Sequence, residues 1–100
     1  MNTLLILFVA EECLRYIPDG KPSGKVKVNE VHRKLAFKHP GIFQKASYQT
    51  VKRVMANMFP IYRNRHRCTK LFKIRAKEAY LYLDKRRLRL RPQDHIKRVV

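Results

Sequence analysis

Residues 47–74 read SYQTVKRVMANMFPIYRNRHRCTKLFKI, and the spacing of the apolar residues changes inside this stretch. In the first half, four apolar residues recur at the spacing of one buried helix face: Val51, Val54, Met55 and Met58. In the second half, residues 61–63 and 71–74 read as two short strands separated by a strongly basic segment. The stretch therefore predicts a helix over Tyr48–Met58, with Ser47 as its N-cap, followed by a β-hairpin with a cationic tip.

The flanking sequence predicts three further helices and one short strand. Residues 3–17 and Glu30–Lys38 carry apolar residues at helical spacing, and Asn29 is placed to cap the second of these helices. The alternation at 26–28 predicts a very short strand. Residues 77–90 predict a fourth helix, and we expect it to fray near residue 86, because the run from Lys85 to Arg91 is too charged to pack.

The charge of the chain is large and unevenly distributed. The net charge is +17 over 100 residues, and residues 21–76 hold fifteen Lys/Arg against a single acid, Glu30. The first twenty residues have a net charge of −2, and residues 77–100 have a net charge of +5. Like charges confined to a small domain repel one another and weaken its compact state. We therefore expect a polyanionic partner, and nucleic acid is the commonest one, because displaced counterions drive basic surfaces onto phosphates.

The chain lacks the residue patterns of catalytic and metal sites. It has seven acids, no glycine-rich phosphate loop, no His-Glu-x-x-His motif and no Ser/His/Asp set, so we expect no enzyme activity. His66 and Cys68 lie close together, but the further ligands that a zinc site requires are missing. We therefore expect neither a metal nor a cofactor.

The cysteines and the N-terminal residues bear on the compartment. Cys13 and Cys68 do not make a disulfide framework, and we expect both to be reduced thiols. The apolar run Leu4–Ala10 is closed by two glutamates, and it is far shorter than the ~20 residues that a membrane span needs. We expect an intracellular protein, nuclear or nucleoid-associated, without a membrane partner.

The order of the predicted elements resembles that of the winged-helix family, a helix-turn-helix variant with an appended β-hairpin, over residues 3–75. Within that family the chain is similar to the regulatory-factor-X (RFX) type. The likeness lies in Ala46–Met55, ASYQTVKRVM, where Ala-Ser-aromatic opens a helix whose apolar stripe leads toward a basic hairpin. The resemblance implies an α+β fold: a small winged helix with a three-helix core, a C-terminal β-hairpin wing and a basic fourth helix or tail. It places the winged-helix domain at 1–76 and the basic C-terminal helix or tail at 77–100.

The third predicted helix is the candidate base-reading element. In helix-turn-helix proteins this helix enters the major groove, where glutamine pairs with adenine, and arginine or lysine pairs with guanine. The candidate DNA-binding residues of this helix are Ser47, Tyr48, Gln49, Lys52 and Arg53. An ordinary solvated helix face is the alternative interpretation of the same residues.

Two further groups of basic residues are candidates for DNA contacts. The wing extends a cationic loop suited to phosphates or to an arginine in the minor groove. It comprises Arg63, Asn64, Arg65, His66, Arg67, Lys70 and Lys73. The candidate phosphate contacts outside the wing are Lys25, Lys27, Arg33, Lys34 and Lys38. In RFX-type domains the wing itself can read bases, so the resemblance leaves open whether the wing or the third helix reads bases here.

These observations predict a double-stranded DNA-binding module of a regulatory, replication or chromatin factor, with transcription regulation as one such role. Two alternatives stay open: a winged helix that binds structured RNA, and a protein-interaction module that docks an acidic partner through the same basic face. The exposed half of the first helix offers a surface for a homodimer or a larger complex.

Overall fold

The computed structural model describes residues 3–46, 48–59, 61–63 and 70–90, and for 61–63 and Lys70 it describes the backbone. Within these ranges the chain is a small α+β fold of five helices and one antiparallel sheet. In chain order the elements are α1 (Thr3–Leu14), β1 (Gly24–Lys27), α2 (Val28–Lys38), α3 (Pro40–Phe43), α4 (Tyr48–Met58), β2 (Ile61–Arg63), β3 (Lys70–Ile74) and α5 (Ala76–Lys85).

The helix and the two strands predicted from residues 47–74 are confirmed. α4 has the predicted bounds, and it buries its four apolar residues: Val51, Val54, Met55 and Met58. β2 pairs antiparallel with β3, which begins at Lys70, one residue before the predicted strand. The tip of the hairpin, residues 64–69, lies outside the described ranges.

β3 is the central strand of a three-stranded sheet, because it pairs with β1 on one side and with β2 on the other. Side chains of β1 alternate between buried and exposed, and Val26 lies opposite Phe72 on the buried face. Lys25 and Lys27 are exposed on the other face. The sheet therefore covers the core with one face and presents lysines on the other.

α2 begins at Val28, and the predicted N-cap at Asn29 is wrong. Lys27 takes the N-cap position with an extended backbone, φ −89° and ψ 148°, and it makes no side-chain capping hydrogen bond. The reason is that β1 runs directly into the helix, so the last strand residue already has the extended conformation of a cap. Val28 then packs in the core as the first helical residue.

α1 ends at Leu14, before the predicted end of the first helix at residue 17. The amides of Arg15, Tyr16 and Ile17 each donate to the carbonyl oxygen three residues earlier, which tightens the chain into turns. These turns bring the Tyr16 carbonyl group against Gly24 at the start of β1. A Cβ atom on Gly24 would overlap the Tyr16 carbonyl oxygen and lie 2.6 Å from its carbon, so glycine is required at this position.

One hydrophobic core joins the described helices to the sheet. α5 ends at Lys85, next to residue 86, where fraying was expected, and it buries Ala79 and Leu83 in this same core. The backbone of Arg87 has a φ of 58°, in the left-handed region, and such a residue is typical of a helix end. Within the described part of the chain, no helix combines the length and the apolar composition needed to cross a bilayer.

Candidate functional site

The outer side of α4 brings together four of the predicted base-reading residues. Tyr48, Gln49 and Arg53 are exposed and Lys52 is half-buried, because the apolar stripe of the helix occupies the side that faces the core. Ser47 lies outside the described residues. α4 has no acidic residue in its first turn, so no carboxylate there offsets the positive end of the helix dipole. The basic side chains of α4 and its helix dipole therefore both favour the binding of an anion.

Four cations on the outer sides of α2 and α4 make no hydrogen bond or ion pair within the part of the chain that the structure describes: Arg33, Lys34, Lys52 and Arg53. All four lie on helices whose opposite sides are anchored in the core. Their positions are thus set by the fold, while their charged groups remain available to a ligand.

Lys38, a predicted phosphate contact on α2, is bound to a buried carboxylate. Its Nζ donates a 2.7 Å hydrogen bond to Glu12 Oε1 on α1, and Glu12 is only 3% exposed. Arg15 Nε lies 3.7 Å from the same oxygen. Two cations thus compensate a carboxylate that solvent hardly reaches. Sequence reasoning missed this pair, although a signal for it is present, since Glu12 lies three residues after Val9 on the buried side of α1.

The Glu12 carboxylate also acts on two neighbouring groups. Burial raises the pKa of the Cys13 thiol, and the negative charge of Glu12 raises it further. Burial raises the pKa of Tyr16 to about 12, with added effects of Glu12 and Glu30 and an opposing effect of Arg33. Cys13 is a free and buried cysteine, and its thiol stays protonated, which makes it a poor nucleophile and metal ligand.

The outer face of the sheet carries three lysines. Lys25 and Lys27 of β1 are exposed, and Lys73 of β3 is half-buried and lies directly opposite Lys25. Like charges in directly opposite positions of two antiparallel strands are destabilising. An anion bound at this face would lie close to three lysine side chains.

The predicted wing is described only near its base. Lys73 lies in the sheet, and Arg63 and Lys70 are backbone register partners at the end of the β2–β3 pair. The other predicted wing residues lie outside the described ranges: Asn64, Arg65, His66 and Arg67.

Two histidines hold α2 in place. His32 Nε2 donates a 2.9 Å hydrogen bond to the carbonyl oxygen of Ala46, which ties α2 to the segment before α4. The ring of His39 stacks on Phe8 of α1, with 3.9 Å between the ring centroids. These contacts position the basic helices relative to the rest of the core. Among the described residues, no group of three or more His, Cys, Asp or Glu side chains is arranged to hold a metal ion.

Phe37 on α2 is a candidate functional residue that sequence reasoning missed. Its side chain is 87% exposed, and it lies four residues after Arg33, on the same side of the helix. The signal in the sequence is that Phe37 falls outside the apolar spacing set by Val31 and Leu35. An exposed aromatic ring beside cations can stack on a nucleobase.

Comparisons of the chain with protein families, with curated proteins and with solved structures found no match. What the site can bind therefore follows from its own residues. They are basic side chains on α2, on α4 and on the outer face of the sheet, all supported by one core.

Proposed function

We propose that the chain is a winged-helix domain of the RFX-like kind that binds double-stranded DNA, with α4 in the major groove and the β2–β3 hairpin as the wing. The observation that carries the proposal is the outer side of α4, where Gln49, Lys52 and Arg53 share a helix whose other side is anchored in the core. Such a module suits a regulatory, replication or chromatin factor.

The proposed base contacts follow from the chemistry of the α4 side chains. Gln49 can exchange two hydrogen bonds with adenine, and Arg53 can donate two to guanine, each pairing worth about 1–3 kcal/mol of discrimination. Ala56 is exposed on the same side of the helix, and its small side chain permits a close approach to DNA. Sequence preference is therefore assigned to α4 in this proposal.

The proposed phosphate contacts come from α2 and from the sheet. Arg33 and Lys34 are exposed on α2, and Lys25 and Lys73 lie opposite each other on the outer face of the sheet. Lys38 is not included among the proposed phosphate contacts, because its ammonium group is bound to Glu12. Most of the affinity is expected from these charges, since phosphate contacts dominate the binding of basic proteins to DNA.

Phe37 favours a second candidate, a winged helix that binds structured RNA. Loops of RNA offer unstacked bases, and stacking of a base on an aromatic side chain is worth about 1–3 kcal/mol. A regular DNA duplex offers no unstacked base to this ring. A substitution of Phe37 can therefore distinguish DNA binding from RNA binding in an experiment.

The test is a competition titration on the full chain. A labelled DNA duplex is displaced by an unlabelled duplex of mixed sequence or by an RNA hairpin of equal length. We expect the duplex to compete better, with a log–log salt slope of about −0.9 per phosphate contacted. Stronger competition by the hairpin that is lost in Phe37→Leu would select the RNA candidate, and no binding of either would reject both.

Two substitutions separate base reading from phosphate binding on the proposed surface. Gln49→Ala should reduce the preference among duplex sequences and leave the salt slope unchanged, because this side chain is assigned to a base edge. Lys34→Gln should leave the preference intact and reduce the slope by about 0.9.

Lys77→Gln is the matched control for Lys34→Gln, because Lys77 is an exposed lysine on α5, outside the proposed surface. If both lysine variants change the salt slope equally, the chain binds DNA through its overall charge, and the proposed surface is wrong.

A further inference from the structure

Phe37 is the most exposed of the large hydrophobic residues that the structure describes. It is 87% exposed, against 53% for Leu81, the next most exposed of them. Leu35 is buried on the side of α2 that faces the core. Phe37 follows Leu35 by two residues, which is about 200° around the axis of a helix. The ring of Phe37 therefore lies on the side of α2 that faces away from the core.

Two cations lie one helical turn before this ring. Arg33 and Lys34 precede Phe37 by four and by three residues, a spacing that brings the Cβ atoms of two helical residues to about 5–6 Å. Within the described residues neither cation makes a hydrogen bond or an ion pair, although Glu30 lies one turn before them. Their charges are thus available to an anion that approaches the ring.

The ring and the two cations together match the chemistry of an unpaired nucleotide. An aromatic ring offers a face on which a base can stack, and such stacking accepts any of the bases. The neighbouring cations can bind the phosphate group of the same strand. An isolated exposed apolar side chain needs no explanation. Phe37 differs from that case, because a group for the phosphate lies beside the group for the base.

The bases inside a regular duplex are stacked on one another, so they leave no base face for this ring. α2 packs directly against α4, the helix assigned to the major groove. We propose that the ligand of this domain is a DNA duplex that continues into a single strand, with one unpaired base stacked on Phe37 and the adjoining phosphate bound by Arg33. Lys34 stays assigned to the backbone of the duplex. This inference rests on the proposed function, in which α4 binds the duplex.

The test is a titration of the full chain with three labelled DNA duplexes that share one paired sequence. The first is blunt, the second carries a single-stranded extension of about six nucleotides, and the third carries an extension of the same length without bases. Extensions are placed at the 3′ end and, separately, at the 5′ end. We expect the bases of the extension to tighten binding about tenfold over the abasic extension at one of these ends, because a base stacks on the ring.

Phe37→Leu removes the aromatic face but keeps an apolar side chain on α2. This variant should bind the blunt duplex like the unmodified chain, and the gain from the bases of the extension should disappear. Phe37→Tyr is the matched control, because it keeps an aromatic ring and should keep the gain. Circular dichroism establishes that both variants are folded. A gain that persists in Phe37→Leu would overturn the inference.

Arg33→Gln tests the assignment of the phosphate. This variant should weaken binding of both extended duplexes, with and without bases, more than binding of the blunt duplex, because both extensions carry phosphates. Equal weakening of the blunt and extended duplexes would show that Arg33 does not bind the single strand, which contradicts the inferred arrangement.

The blunt duplex separates this inference from the proposed function. If the blunt duplex binds and the bases of the extension add nothing at either end, the inference is overturned while the proposed function stands. If none of the duplexes binds, the proposed function is rejected, and this inference with it. An isolated single strand, DNA or RNA, that binds as tightly as the extended duplex would also overturn the inference, because the duplex would have no part in recognition.

Discussion

Helices α1 and α4 bury their inner sides in the same core, but their outer sides have opposite character. The outer side of α1 includes Leu4 and Phe8, which line an open groove together with Leu90, whereas that of α4 carries Gln49, Lys52 and Arg53. In both helices the inner apolar residues fix the position of the helix, so the outer residues can differ without changing the fold. The outer side of α4 is thus cationic, whereas that of α1 is largely apolar.

Two of the contacts between the α1 region and the basic region can be tested by substitution. At the first, the turn after α1 brings the Tyr16 carbonyl group against Gly24 of β1. At the second, Glu12 of α1 is bound to Lys38 of α2. Substitutions at these two places test how strongly the fold depends on the contact between the two regions.

The largest effect is expected from Gly24→Ala, because the turn after α1 approaches β1 too closely at this position for a side chain to fit. Because the new Cβ would overlap a backbone oxygen and cannot move away as a flexible side chain would, the strands or the turn must shift. We expect a loss of about 3 kcal/mol in the free energy of unfolding, at the upper end of overpacking effects. Urea denaturation followed by circular dichroism measures this loss.

Gly41→Ala is the control for this substitution. A Cβ on Gly41 meets no atom within 4 Å, and Gly41 lies inside α3, where alanine is the better helix former. This variant should be as stable as the unmodified chain or more stable, by up to about 1 kcal/mol. Equal destabilisation by both substitutions would show that the Tyr16 contact is unimportant.

A smaller effect is expected from Lys38→Met, which leaves Glu12 buried with Arg15 as its remaining cation. Loss of one partner of a buried ion pair costs several kcal/mol, but the Lys38 side chain is 37% exposed. We therefore expect a loss of about 2 kcal/mol in the free energy of unfolding, measured by urea denaturation.

Lys34→Met provides the comparison for Lys38→Met on the same helix. Lys34 makes no ion pair within the described residues, so its stability change should stay within about 0.5 kcal/mol. The double variant Glu12→Gln with Lys38→Met should recover part of the loss, because no buried charge is left without its partner. Equal stability of the two single variants would mean that the Glu12–Lys38 pair does not hold α1 against α2.

Local spacing was sufficient to predict α4 and the two strands of the hairpin. The apolar residues of α4 follow one helical face from Val51 to Met58, and no distant contact is needed to define its ends. The coarse α+β class was also predictable, whereas the winged-helix assignment and DNA binding stay predictions. The sequence predicted four of the third-helix site residues to lie on one side, and the structure places them so.

The missed features depend on contacts between residues far apart in the chain. The turns that follow α1 bring the Tyr16 carbonyl group against Gly24, and Lys38 is bound to a carboxylate 26 residues away. Helical spacing correctly identifies Lys38 as a surface residue. The spacing does not show that Glu12 is the residue to which Lys38 binds. Similarly, the local sequence favours Asn29 as an N-cap. This prediction was wrong because β1 continues directly into α2.

The smallest effect is expected at Tyr16, which lies between the acidic α1 region and the basic α2. Burial and the carboxylates of Glu12 and Glu30 raise its pKa to about 12, whereas Arg33 acts in the opposite direction. The folded chain thus holds the phenolic proton more tightly than the unfolded chain, whose tyrosine ionises at about 10. The contribution of Tyr16 to stability should therefore be complete below pH 10 and decrease as the pH rises from about 10 to about 12.

Tyr16→Phe tests this expectation, because phenylalanine has no proton to lose. Its stability should fall less than that of the unmodified chain over the same pH interval, as measured by urea denaturation at each pH. At neutral pH the variant should be slightly more stable, since the buried Tyr16 hydroxyl has no hydrogen-bond partner within the described structure. Identical pH profiles for the two chains would show that burial and the charges of α1 and α2 do not raise the pKa of Tyr16. The boundary between the two regions would then lie elsewhere.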